Sequence, residues 1–389
     1  MTVSSKRRLL ALFIVIGLVA AACGDSDEPA ATTAAAPATT EAPAESMYNL
    51  AGHCPDVVSI QTDWFPEAEH GAMYEMVGDD YTIDGEAQIT SGSLVIGGED
   101  TGVDIEVRAG GPAIGFAPVR SYMYANAGDI DFGYGTTDAL VLGFEDAPML
   151  AVAAPLEINP QIIMWDPETY PEAETITDLR DLDVLVQIFS GGSFSEIFVA
   201  DGTMNASQID PSYDGSPARF IAEGGAIAQQ AFASAEPYQY LNTFEEWGKE
   251  IKYQLIHDAG LQMYSQGFAI RTGDKAALDG CLQRLVPIVQ QATVDYALNP
   301  DRANAIIVDA VATIDSFWVY SAELAAFSAS EQLRLGLVGN GPDSIVGNFE
   351  LSRVQGVIDQ MASAGMDVPD GLVADDIVTN EYIDENIGF

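Results

Sequence analysis

From Cys54 to Phe389 short apolar runs alternate with stretches of helical spacing, a pattern that fits an α/β fold and few others. Residues 56–63 (DVVSIQTD) read as a first strand, followed by a proline turn and a helix over about 70–77. Residues 103–107 (VDIEV) read as a second strand, and 129–134, 149–154, 161–165 and 183–189 as further ones. Over 274–296 the apolar residues Ala277, Leu278, Cys281, Leu282, Leu285, Val286 and Val289 recur at helical spacing, with Pro287 placed to kink the helix. Asn299-Pro300 reads as the cap of a second long helix carrying Ile306, Ile307, Ala310, Ile314, Phe317 and Trp318. With 389 residues, 48 % of them hydrophobic, the chain can bury a core, and its length predicts two domains.

The first 22 residues read as an export signal. Lys6, Arg7 and Arg8 precede a charge-free run, LLALFIVIGLVAAA over 9–22, which is shorter than the roughly 20 residues a membrane span needs. Cys23 directly after Ala20-Ala21-Ala22 resembles a bacterial lipobox, in which the thiol is lipidated and becomes the mature N-terminus; Ala20 stands where Leu is usual. Residues 23–46 are Ala, Thr, Pro and acid with little to bury, the composition of a flexible tether. The expected location is therefore the outer face of a bacterial cell membrane, held by a lipid anchor. With Cys23 so used, Cys54 and Cys281 remain, and outside the cytoplasm two thiols are expected to form a disulfide; the alternative is two buried, inert thiols.

Charge excludes further classes. Against 59 Asp plus Glu the chain has 15 Lys plus Arg, a formal −44, so no surface can neutralise a phosphate backbone and nucleic acid is not a partner. The three histidines, His53, His70 and His257, lie in no metal-ligand pattern, and no metal is expected. Gly133-Tyr134-Gly135 lacks the third glycine of a dinucleotide fingerprint, and no cofactor is expected. A Gly-x-Ser-x-Gly elbow is absent and Cys281 falls inside an amphipathic helix, so the chain does not read as an enzyme.

Residues 60–74 (IQTDWFPEAEHGAMY) resemble the strand, loop and helix that open the NMT1/THI5-like periplasmic-binding-protein family, whose members show an Asp-Trp, a Pro, then His, a small residue and Tyr. Residues 127–133 (AGDIDFG), Gly135-Thr136-Thr137-Asp138, 176–182 (ITDLRDL) and Ala235-Glu236-Pro237-Tyr238 continue that resemblance in order. It implies a type II periplasmic-binding-protein fold, two α/β lobes joined by crossing strands around a ligand cleft. Lobe one is expected at 55–153 plus 258–389 and lobe two at 154–257, with the disulfide inside lobe one. The implied function is that of a substrate-binding lipoprotein of an ABC importer. As a monomer it would capture a small heteroaromatic ligand, such as a pyrimidine precursor of thiamine, and deliver it to permease and ATPase subunits. A binder of a sulfonate, nitrate or similar anion is the alternative, as sister families take these; a surface-tethered pyrimidine synthase acting through His70 is another.

Asp63 and Trp64 end a strand, where α/β sheets open into a ligand crevice. An aromatic plane beside a carboxylate suits a flat, nitrogen-rich ring, although Trp64 and Phe65 could equally be core and Asp63 a helix cap. Tyr74 could add a hydroxyl, and His70 is either a ligand contact or a satisfied core histidine. Thr136 and Thr137 are placed either to bind a polar ligand group at a helix start or simply to cap it. Gly192 and Ser193 supply a nest from the opposing lobe, or a flexible loop. Glu236 and Tyr238, either side of Pro237, match the family's Glu-Pro pair, which implies the carboxylate on the ligand; a structural turn is the alternative. Basic residues are scarce, Arg108 and Arg120 being nearest in lobe one, which ranks an anionic ligand second. Because salt screens the self-repulsion of so acidic a chain, the melting temperature is expected to rise between low salt and about 0.5 M, where the Debye length falls to a few ångströms. A melting curve indifferent to salt would contradict this reading of the charge.

Overall fold

The computed structural model describes residue 46 and residues 48–389. The leader, Cys23 and all of the tether but Ser46 lie outside the described residues. Among the described residues there are twelve strands: β1 (Val57–Gln61), β2 (Thr82–Asp84), β3 (Ile89–Ile96), β4 (Glu99–Arg108), β5 (Phe132–Gly135), β6 (Met149–Ala153), β7 (Gln161–Trp165), β8 (Val186–Gln187), β9 (Ile209–Asp210), β10 (Ala228–Phe232), β11 (Lys252–Leu255) and β12 (Gly267–Arg271). They form a seven-stranded sheet in the order β2-β3-β4-β1-β5-β12-β6 and a five-stranded sheet in the order β11-β7-β10-β8-β9. The chain passes from the first sheet to the second between β6 and β7 and returns between β11 and β12.

Burial follows sequence pattern. β5, β6 and β12 in the first sheet are buried at every residue, and their near-continuous apolar sequences are what two covered faces require. β4 instead alternates, with Val103, Ile105 and Val107 inward and charged residues between them. In β7 the alternation divides two cores: Ile162 and Met164 face one, Ile163 and Trp165 the other.

The sequence reading missed the hairpin that contains its second strand. β4 runs from Glu99 and pairs antiparallel with β3, turning through Gly97 and Gly98 at φ +57° and +80°, the left-handed geometry that two-residue hairpin turns demand. The long helix Lys275–Leu298 contains Pro287 within it, as expected. The next helix, Asp301–Ile314, departs from expectation at both ends. Pro300 rather than Asn299 stands at its N-cap, with no side-chain cap, and it stops at Asp315, whose φ of +51° takes the backbone left-handed. Phe317 and Trp318 therefore leave the helix and wrap a loop near the candidate site: Trp318 Nε1 donates to Pro66 O (3.3 Å) and Ala68 N donates to Tyr320 Oη (3.0 Å).

Cys54 and Cys281 are bonded, joining the segment before β1 to the helix Lys275–Leu298 across 227 positions. The helix Leu351–Ser363 carries Arg353, which donates to Glu157 (2.7 Å to Oε1, 2.7 Å to O) and to Gln262 O (2.5 Å), gripping both connections between the sheets. Reducing the disulfide, or Cys281→Ala, is expected to lower unfolding stability by about 2–5 kcal/mol, read by denaturant titration, because a long loop of the unfolded chain is set free. An unchanged midpoint would remove the bond from the list of stabilising features.

Candidate functional site

The loop after β1 enters the space between the two sheets. Gly111 fits beneath it: its φ is +55°, and a Cβ there would lie 2.4 Å from Trp64 Cε3. Trp64 is thus pressed onto backbone on one side and meets Phe116 (6.1 Å between ring centres), Phe189 (5.9 Å) and Trp318 (6.2 Å) on others. Phe189 follows β8 in the second sheet and packs on Tyr213 at 4.6 Å. These rings wall a cavity of about 320 Å³, within the roughly 300–1,000 Å³ usual for small-molecule sites.

Its polar lining is acidic. Asp63, Glu67, Glu69 and Glu236 line the cavity together with Gln266 and Ser190, and no lining residue is basic. Asp63, 34 % exposed, accepts from or shares a proton with His70 Nε2 at 2.8 Å. Glu69 accepts from Ser234 Oγ of the second half. Glu236 begins the helix Glu236–Asn242 and accepts from Phe232 N at 2.8 Å. Burial, reinforced by Glu69, Asp63 and Glu236, pushes the Glu67 carboxyl well above the ordinary carboxylate range. Burial likewise raises Glu69, and it pushes Glu236 up to about 7. Gln266 sits at φ +50°, is 5 % exposed, and leaves its Oε1 without a partner while its Nε2 lies 3.4 Å from Asp63.

Of the residues singled out in the sequence, Asp63, Trp64 and Glu236 line this cavity, and Asp63 caps no helix. His70 is fully buried behind Asp63 and holds its carboxylate. Tyr74, 1 % exposed, belongs to the core of the first sheet, as the short helix Gly71–Glu75 turns it inward. Thr136 caps the helix Thr137–Leu142, accepting from Ala139 N (3.3 Å), and lines a smaller neighbouring cavity. Thr137 is buried, bonded to Tyr264 N (2.9 Å) on the returning connection. Gly192 and Ser193 stand back from the cavity, where Ser190 lines it instead; Ser193 Oγ donates to Asp138 of the first half. Tyr238 turns away onto Phe327 (5.3 Å), because one residue past Pro237 the helix has rotated it off the cavity face.

Glu67, Glu69, Phe116, Phe189, Tyr213, Gln266 and Trp318 were not anticipated. The two glutamates carried one signal, their place inside the 60–74 segment that bears the family resemblance. Among the described residues no group of three or more His, Cys, Asp or Glu is arranged to hold a metal ion. No helix of the described residues is long and apolar enough to cross a membrane.

No family model matches the chain, and no curated protein matches it in sequence. Among solved structures it is similar to the periplasmic nitrate-binding protein of Synechocystis, at 13 % identity and TM-score 0.53 over 84 % of this chain and 87 % of that one. It is also similar to the alkanesulfonate-binding protein of Xanthomonas axonopodis bound to MOPS, at 15 % and 0.50 over 84 % and 98 %. The periplasmic aliphatic sulphonate binding protein of Escherichia coli matches at 12 % and 0.50 over 80 % and 86 %. At such identities the likeness shows the fold: a mixed α/β chain with two sheets in the periplasmic-binding-protein arrangement.

Glu236 has a higher pKa folded than unfolded, so the folded state binds the extra proton, and stability is lost as pH rises from the unfolded value towards and through about 7. Glu236→Gln is expected to raise the melting temperature by a few degrees at pH 8 relative to wild type and to change it little at pH 5. A variant no more stable than wild type at pH 8 would show that the carboxylate is not held against its preference.

Proposed function

We propose that this chain is the substrate-binding lipoprotein of an ABC importer. In this reading Cys23 carries the lipid, residues 23–46 are the tether, and the protein acts as a monomer that hands its ligand to a permease and ATPase pair. Lobe one would comprise 55–153 plus 258–389 and lobe two 154–257, closing on the ligand about the two connections between the sheets. The fold supports a binding role. The NMT1/THI5-like resemblance of 60–74 and 235–238 supports a heteroaromatic ligand of the thiamine-pyrimidine kind.

One observation carries the ligand class: the main cavity is lined by four carboxylates and six aromatic side chains, with no basic residue. Rings offer stacking area and attract cations over their faces, while carboxylates accept from amino groups and ring N–H. An aminated ring, neutral or cationic, meets both. The nitrate- and sulfonate-binding proteins named above share the fold but not a sequence from which their ligands could be transferred, and a bare anion would face four carboxylates here. The burial of His70 behind Asp63 supports binding rather than a synthase reaction at that imidazole.

Calorimetry on the mature protein should detect one-to-one, reversible binding of a hydroxymethyl or formylamino pyrimidine, and Glu236→Gln should weaken it by roughly tenfold or more, the scale of a lost charge-assisted hydrogen bond. Binding should also weaken as pH falls through about 7, where Glu236 takes up its proton. Saturable binding of taurine or nitrate with none of the pyrimidines would overturn the ligand class, and turnover of the pyrimidine would overturn the binding role.

A further inference from the structure

A second, smaller cavity of about 180 Å³ adjoins the main one, and Asp63 and Ala117 line both. Its lining differs in character. It contains Arg120, a half-buried guanidinium whose nearest charges are Asp138 and Asp146 but which makes no hydrogen bond or ion pair among the described residues. Every other described Lys and Arg is engaged, most of them with carboxylates. In a chain with 59 acids and 15 bases, an unpaired guanidinium is the unusual case. The Arg120 stem lies over Gly143, where a Cβ would come within 2.2 Å of Cδ, so any side chain there would displace it.

Tyr134 lines the same cavity. Tyr134 is 2 % exposed, its ring lies 5.4 Å from that of His70, and its Oη has no partner. A buried hydroxyl left unmatched costs free energy unless something completes it. Thr136 contributes no free donor, since its hydroxyl donates to Asp138 and accepts from Ala139 N. Two donors thus remain uncommitted, a guanidinium and a phenol.

We propose that the natural ligand is amphoteric: its amine-bearing ring occupies the main cavity, and an anionic group of carboxylate geometry passes Asp63 into the smaller cavity to accept from Arg120 and the Tyr134 hydroxyl. This rests on the reading of the main cavity given above and extends it to the ligand's other end. Arg120 offers the planar fork that matches two carboxylate oxygens. Asp63, bonded to His70, stands at the junction, where a ligand N–H would meet it and a free anion would be repelled. Small anions therefore do not fill the smaller cavity alone; the anionic group arrives attached to a cationic or amino partner.

The test is a matched pair measured by calorimetry: an aminopyrimidine bearing a hydroxymethyl group, and the same ring bearing a carboxylate in its place. The expected result is that wild type binds the carboxylate compound at least tenfold more tightly. Arg120→Gln should weaken that compound at least tenfold more than it weakens the hydroxymethyl compound, and Arg120→Lys should restore part of the difference. Circular dichroism and the melting temperature show whether each variant is folded; Tyr134→Phe, which removes only the hydroxyl, provides an independent loss of several-fold on the carboxylate compound. Equal affinities in wild type, or a carboxylate advantage that survives Arg120→Gln, would overturn the inference while leaving the main-cavity reading intact if Glu236→Gln still weakens both compounds. Failure of both compounds to bind would overturn both readings.

Discussion

Four carboxylates around one cavity, with no basic side chain among its lining, are the constraint to which the surrounding structure answers. Isolated buried charge costs far more than a folded domain can spare, so such groups must be hydrogen-bonded, protonated or both. Each of three acids receives a specific donor: Asp63 from His70, Glu69 from Ser234, Glu236 from Phe232 N. The remaining cost appears as protons held more tightly, most plainly at Glu67 and Glu236. In the proposed reading, a ligand's positive charge or amino group would relieve that cost.

The donors come from different parts of the chain, which ties the site to the two-sheet architecture. Ser234 lies just after β10 in the second sheet and Glu69 just after β1 in the first, so their hydrogen bond joins the halves across the cavity. Ser328, on the helix Ala322–Arg334, donates to Ser234 O at 2.6 Å and fixes that segment from behind. Trp64 against Phe189 and Asp138 against Ser193 are further contacts between halves. Where the chain itself crosses, Arg353 and Glu157 form an ion pair 6 % and 13 % exposed, with Tyr264 stacked 3.9 Å from the guanidinium. In the proposed binding role, the contacts at the cavity would part and re-form while the pinned connections hold.

What was legible in the sequence follows from which interactions are local. The strands covered on both faces announced themselves because such burial demands continuous apolar runs, and 149–153 and 161–165 carry them. β3 was overlooked because its inward face begins with a polar residue, Thr90, and interleaves Ser91, Ser93 and Val95 with Leu94 and Ile96, weakening the apolar signal; the Gly97-Gly98 pair was the stronger clue. The end of the helix at Ile314 depended on Asp315 adopting a left-handed conformation, which asparagine and aspartate tolerate but do not advertise. For the site, Asp63 and Trp64 were legible because strand ends are where α/β sheets present side chains, and Glu236 was legible only through the family resemblance of 235–238. Phe189, Tyr213 and Trp318 were not, because what makes them site residues is their meeting with Trp64 from distant segments, and no local spacing encodes that.

Asp63 shows how one position comes to serve several ends. It leaves β1 at the point where the strand's backbone pairing is finished, so its side chain is free to face the gap between the sheets. His70, seven residues on and fully buried, turns back to hold it, and this local bond sets the carboxylate independently of the second sheet. Gln266, from the connection that returns to β12, approaches the same oxygen with its own Oε1 still unmatched. The carboxylate thus registers both the strand that opens the fold and the segment that closes it. Asp63 is thus held between β1 and the connection that returns to β12, and of the four acids lining the cavity it is the most exposed.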